Sequence, residues 1–71
     1  MIRGQRGEVI GAGWRVPGEV IAVGLHSFAV AFKEPEGVVP NPWFNSEIRR
    51  EDGAYKRHGE DPSIALYFLP R

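Results

Sequence analysis

His26 and Ser27 place a general base beside a hydroxyl. On a strand, adjacent side chains point to opposite faces, so the imidazole cannot take the hydroxyl proton. Spacing supplies no third group to orient the ring, and an activated nucleophile needs one. The pair reads as a turn histidine next to a strand serine. His58, Glu60 and Asp61 offer one nitrogen and two carboxylates to a cation. Metal sites hold three or four ligands at set distances within a supporting shell. In a polar loop these three read as solvated charge, and no metal or other cofactor is expected. Gly11-Ala12-Gly13 follows an apolar run, as phosphate-cradling loops do. That fingerprint wants a third glycine and an ensuing helix. Val16 stands where the glycine belongs, and Pro17-Gly18 forbids the helix.

Two stretches suit binding better than catalysis. In Pro40-Asn41-Pro42-Trp43-Phe44 the prolines stiffen the chain, and two adjacent large aromatics cannot easily both face inward from an edge segment, unless both tuck over the open end of the barrel as a lid. One of them is expected at the surface, where a rigidly held Trp is a frequent interface anchor. Arg49, Arg50, Tyr55, Lys56 and Arg57 form the second stretch. Cations with an interleaved ring suit phosphate contact and base stacking. Glu51, Asp52, Glu60 and Asp61 sit among them and repel phosphate, so the run also reads as an alternating-sign, solvated loop. Nine basic and nine acidic residues cancel to a net charge of zero, without the basic excess usual in nucleic-acid modules.

These residues must be positioned by short strands. The pattern Gly-Glu-Val-Ile occurs twice, at Gly7 and at Gly18, each time as an apolar run opened and closed by glycine. Such runs between glycine turns predict β-structure. The expected strands cover residues 7–12, 19–23 and 27–34, with Gly11 and Gly13 forming a bend. Pro17-Gly18 is expected as a turn, and Gly24 is expected to lend an unusual backbone angle to the hairpin at residues 24–26. Alternation on the third strand sends Phe28, Val30 and Phe32 to the core and Ala29, Ala31 and Lys33 outward. The small alanine face allows close approach of another backbone. Pro35-Glu36-Gly37 is a turn, and Val38-Val39 starts an edge segment limited by Pro40 and Pro42. Residues 45–49 are read as a helical turn leading into a short strand. Residues 49–62 are read as a mobile polar loop, with Asp52-Gly53 and Asp61-Pro62 as turn signals. Residues 64–69 are six apolar residues in succession, which predicts a strand buried on both faces that closes the sheet against the first strand or pairs with a partner.

Val30-Ala31-Phe32, the turn at Gly37 and Trp43-Phe44-Asn45-Ser46-Glu47-Ile48 resemble the SH3-like barrel class. The resemblance implies a single small, all-β, five-stranded barrel over residues 1–71, with an OB-like barrel as the alternative. Such barrels serve many functions, so the resemblance implies none.

A chain of 71 residues buries a modest share of its surface and ordinarily needs disulfides, a metal or association. Cysteine is absent and only two histidines are present. Association remains, and a neutral chain does not oppose it. The leading expectation is a non-enzymatic interaction module that self-associates or takes a protein partner. Trp43 and Phe44 would be its anchors, with Trp14, Ala29 and Ala31 as secondary contacts. Nucleic-acid binding through Arg49, Arg50, Tyr55, Lys56 and Arg57 is the alternative. A third reading is an enzyme whose site forms only between subunits, drawing on Tyr67, His26 or Glu19. No apolar run reaches the length of a membrane span, and the first residues open no signal-peptide core, so no membrane and a cytoplasmic location are expected.

Overall fold

A computed structural model describes residues 1–33, 42–58 and 65–71. Six strands run in chain order: β1 (Arg6–Gly11), β2 (Trp14–Val23), β3 (Ser27–Phe32), β4 (Trp43–Arg49), β5 (Tyr55–Arg57) and β6 (Tyr67–Pro70). They form a closed antiparallel barrel in the order β1-β2-β3-β4-β5-β6, with β6 returning to β1. The fold is a small all-β barrel, compatible at a coarse level with SH3-like and OB-like architectures.

Alternation decides what faces inward. Val9, Val20, Phe28, Val30, Phe44, Leu66 and Phe68 form the core. Phe28 is its hub: its ring lies 5.7 Å from Phe44, 5.5 Å from Phe68 and 5.4 Å from Tyr55. Aromatic pairs at such separations add attraction to the burial of area. Among the described residues no polar or charged residue is buried, so the side chains of the interior contribute apolar packing to a barrel whose strands are joined by backbone hydrogen bonds.

The expected faces of β3 are correct for Phe28 and Val30, both fully buried, while Phe32 is half-buried and stacks on Trp14 at 6.2 Å. The predicted closure by the last strand also holds: Ile10 faces Tyr67 and Val9 faces Phe68.

Five details differ from the sequence reading. The strand count is six, because Tyr55–Arg57 forms β5 inside the stretch read as a loop. It pairs with β4 at Phe44↔Arg57 and with β6 at Tyr55↔Phe68. Tyr55 is the reason: its ring packs edge-on against Phe28, and that burial outweighs the charged neighbours. Residues 45–49 form strand rather than a helical turn, since Phe44 is buried and pairs with Phe28. Pro17-Gly18 is not a turn. The chain runs straight through it in β2, and the β3 ladder ends at Gly18, so on that side Pro17 owes no hydrogen bond. β6 is not buried on both faces: Leu66 and Phe68 are buried, Tyr67 and Leu69 half-buried, Ala65 exposed. Finally, Gly24 keeps a negative φ, whereas Gly13 and Gly53 take φ of +79° and +89°. The expected turn at Pro35-Glu36-Gly37 and the edge segment at Val38-Val39 lie outside the described residues, as does Ile64.

Candidate functional site

Closing the barrel divides the two adjacent aromatics. Phe44 points inward and is fully buried, and Trp43 points outward and is 44% exposed. One of the pair does lie on the surface, as a strand's period of two requires. Register places Trp43 opposite Ala29, and Ala29 opposite Ala22, on one outward row across β4, β3 and β2. The small side chains leave room for the indole, and Ala29 itself keeps only 3% of its surface. Ala29 therefore has little surface to offer a partner. The indole reaches the β2–β3 turn, where its Cζ3 would lie 3.8 Å from a Cβ on Gly24.

That turn carries the most exposed large apolar side chain of the described residues, Leu25. Leu25 is 87% exposed and Val23 48%, on either side of Gly24, and Ile21 is half-exposed where β2 shifts register against β3. The turn is closed by the Gly24 amide donating to the Ser27 carbonyl at 2.7 Å. It is tied to β4 by the Ser46 amide donating to the His26 carbonyl at 3.0 Å. Leu25 and the Trp43 indole thus lie on either side of Gly24 as exposed apolar groups, while Val23, opposite Phe28, ends the inward row where it emerges at the turn. On its rim, His26 Nδ1 lies 2.7 Å from Glu47 Oε1. Glu47 is thus the orienting partner of His26 that spacing did not supply, and the imidazole faces β4 rather than Ser27. Val23, Leu25 and Glu47 were missed in the sequence. Leu25 had a signal, an isolated leucine in a glycine turn, where nothing packs.

Trp14 and Ala31 lie elsewhere. The Trp14 ring covers Gly11, where a Cβ would overlap it, and stacks on Phe32 against the core. It is a packing residue at the β1–β2 hairpin. Ala31 faces Glu19, and Glu19 faces Arg6, on another outward row.

The residues of the basic stretch are dispersed. Arg49 donates from Nε to the Gly53 carbonyl at 2.9 Å and sits 5.3 Å from the Tyr55 ring. Tyr55 is half-buried against Phe28, so its ring is not a free stacking platform. Arg50 pairs with Asp52 at 3.2 Å and lies 4.2 Å over the ring of Tyr67, on β6. Lys56 is exposed opposite Tyr67, and Arg57 is half-buried opposite Phe44. The five do not make one surface; two of them join Tyr67 instead.

Tyr67, His26 and Glu19 are not neighbours within the chain: they sit opposite Ile10, against Glu47 and opposite Arg6, respectively. Gly11-Ala12-Gly13 makes a hairpin into β2 rather than a helix start. Of His58, Glu60 and Asp61 only His58 is among the described residues, and it is exposed. No helix of the described residues is long and apolar enough to cross a membrane. Compared with protein-family models, curated proteins and solved structures, the chain matches none.

Proposed function

We propose that this chain is a non-enzymatic assembly module that binds a second copy of itself through Leu25 and Trp43 at the β2–β3 turn. The carrying observation is Leu25, 87% exposed at the tip of a turn whose flanks are Val23 and the Trp43 indole. An exposed leucine close to a half-exposed Trp, with the His26–Glu47 pair at its rim, has elements of an interface core. A second copy is the favoured occupant because the chain carries no net charge to keep like molecules apart. A two-fold contact also lets Leu25 of each copy meet the other's Trp43, which makes one patch self-complementary. Phe44 has no part in the contact, being wholly in the core.

The test is sedimentation velocity across a concentration series, on the parent chain and on Leu25→Ser. Leu25 is largely exposed, so its replacement leaves folding stability within about 0.5 kcal/mol. The parent is expected to shift toward a dimer as concentration rises, and Leu25→Ser to stay monomeric under the same conditions. A parent chain that remains monomeric at high micromolar concentration ends the proposal. So does a Leu25→Ser variant that dimerises as well as the parent.

A further inference from the structure

A groove crosses the outer surface where β6 meets β1, away from the Leu25 turn. Its volume is about 430 Å³, and its floor includes Ile10, Ala12 and Ala65, with Tyr67 and the side chains of Arg15 and Arg50 around it. That volume lies within the range of ordinary ligand pockets. The register explains its make-up. Arg15, Ile10, Tyr67 and Lys56 stand directly opposite one another on β2, β1, β6 and β5, a row about 14 Å long at the usual strand spacing. Arg50 enters from the end of β4 and lays its guanidinium 4.2 Å over the Tyr67 ring.

We propose that this groove binds a nucleotide unit, a flat base joined to a phosphate. The floor is apolar, Ile10 with the small side chains of Ala12 and Ala65, and so is open to a ring. Arg50 lies 4.2 Å over the Tyr67 ring, and a base adds by stacking on the guanidinium or on the ring beside it. Arg15 and Lys56 stand at the two ends of the row, within reach of a phosphate on either side of a base stacked at the Arg50–Tyr67 pair. Asp52 lines the groove and Glu8 stands against Arg15, and both carboxylates are engaged. Asp52 accepts from the Ala54 amide at 3.0 Å and pairs with Arg50 at 3.2 Å. Glu8 meets Arg15 at 3.7 Å, a loose, partly exposed pair that a phosphate displaces at little cost. An acidic peptide would satisfy the cations but would bring nothing flat to the ring and the small floor.

The nucleotide can be free or part of a single strand, and two probes separate the cases. Adenosine monophosphate and an oligothymidylate octamer are titrated into the full chain at low salt, read by calorimetry and by amide chemical shifts. Binding of the monophosphate with no gain from the octamer assigns a free nucleotide. Tighter binding of the octamer, weakening steeply with salt, assigns a single strand. In either case Arg15→Glu lowers affinity at least tenfold, and Tyr67→Leu does the same. For the octamer, Lys56→Ala lowers the salt slope by about one. Leu25→Ser leaves binding unchanged, which separates this site from self-association. Arg15 and Lys56 are exposed, so their variants keep the fold even where Tyr67→Leu does not. The proposal is overturned if neither probe binds at low salt. It is equally overturned if Arg15→Glu binds as the parent does, or if a glutamate octapeptide competes on equal terms.

Discussion

At the scale of single residues, two glycines do different work. A Cβ on Gly7 would sit 2.7 Å from the Phe68 ring and 2.8 Å from the Pro70 Cα, and closer still to the Leu69 carbonyl. Backbone cannot move aside as a side chain can, so Gly7→Ala separates β1 from β6. Its expected cost is about 2–3 kcal/mol, measured by urea unfolding. At Gly24 the same added carbon would meet the Ser27 carbonyl at 3.4 Å and Trp43 Cζ3 at 3.8 Å, which are tolerable contacts at an ordinary φ. Gly24→Ala is therefore expected to be neutral or to stabilise by up to about 1 kcal/mol, through a less flexible unfolded chain. Equal losses at the two positions would refute this account. The sequence marked Gly7 as a strand opener and Gly24 as a turn residue, because glycine punctuates the chain without saying whether the need is for angle or for space. In the same way it placed one of Trp43 and Phe44 outside, from alternation alone, but not which one. That was decided by the pairing of Phe44 with Phe28, a contact between distant parts of the chain.

At the scale of elements, β1, β3 and β6 were legible, because apolar runs bounded by glycine or turn residues have few other uses. β5 was not. Lys56 and Arg57 hide it in a charged stretch, and only the tertiary contact of Tyr55 with Phe28 makes it a strand. Its hairpin with β4 depends on local chemistry that the Asp52-Gly53 signal did reveal. Asp52 Oδ1 accepts from the Ala54 amide, Gly53 takes a positive φ, and the Arg50 amide donates to the Ala54 carbonyl at 2.9 Å. Asp52→Ala removes a turn hydrogen bond and the Arg50 ion pair, both near the surface, so the expected loss is about 1 kcal/mol. Because β5 has three residues and paired register with β4 only at its two ends, its amides are expected to exchange with solvent faster than those of β2 and β3. Hydrogen-exchange NMR checks this, and slower exchange in β5 than in β3 would contradict it.

At the scale of the whole molecule, the apolar surplus noted in the sequence divides into two parts. Phe28, Phe44 and Phe68 fill the barrel, while Val23, Leu25 and Trp43 remain outside. Neither surface patch was legible in the sequence, because each joins strands that are remote along the chain: β2 with β4 in one case, β2, β1, β6 and β5 in the other. If the Leu25 patch joins two copies, melting temperature must rise with protein concentration, since association stabilises only the folded form. A melting point independent of concentration in the parent chain would contradict self-association, and Leu25→Ser is expected to abolish the dependence. Closure of the six strands has a further consequence. Open sheets expose a row of backbone donors and acceptors that invites strand-by-strand growth into fibrils, whereas a ring presents none until it is cut. The seam between β1 and β6 is where the chain's two end strands meet, so loosening it with Gly7→Ala should convert a self-limiting assembly into one that seeds amyloid, visible as thioflavin-positive fibres absent from the parent chain.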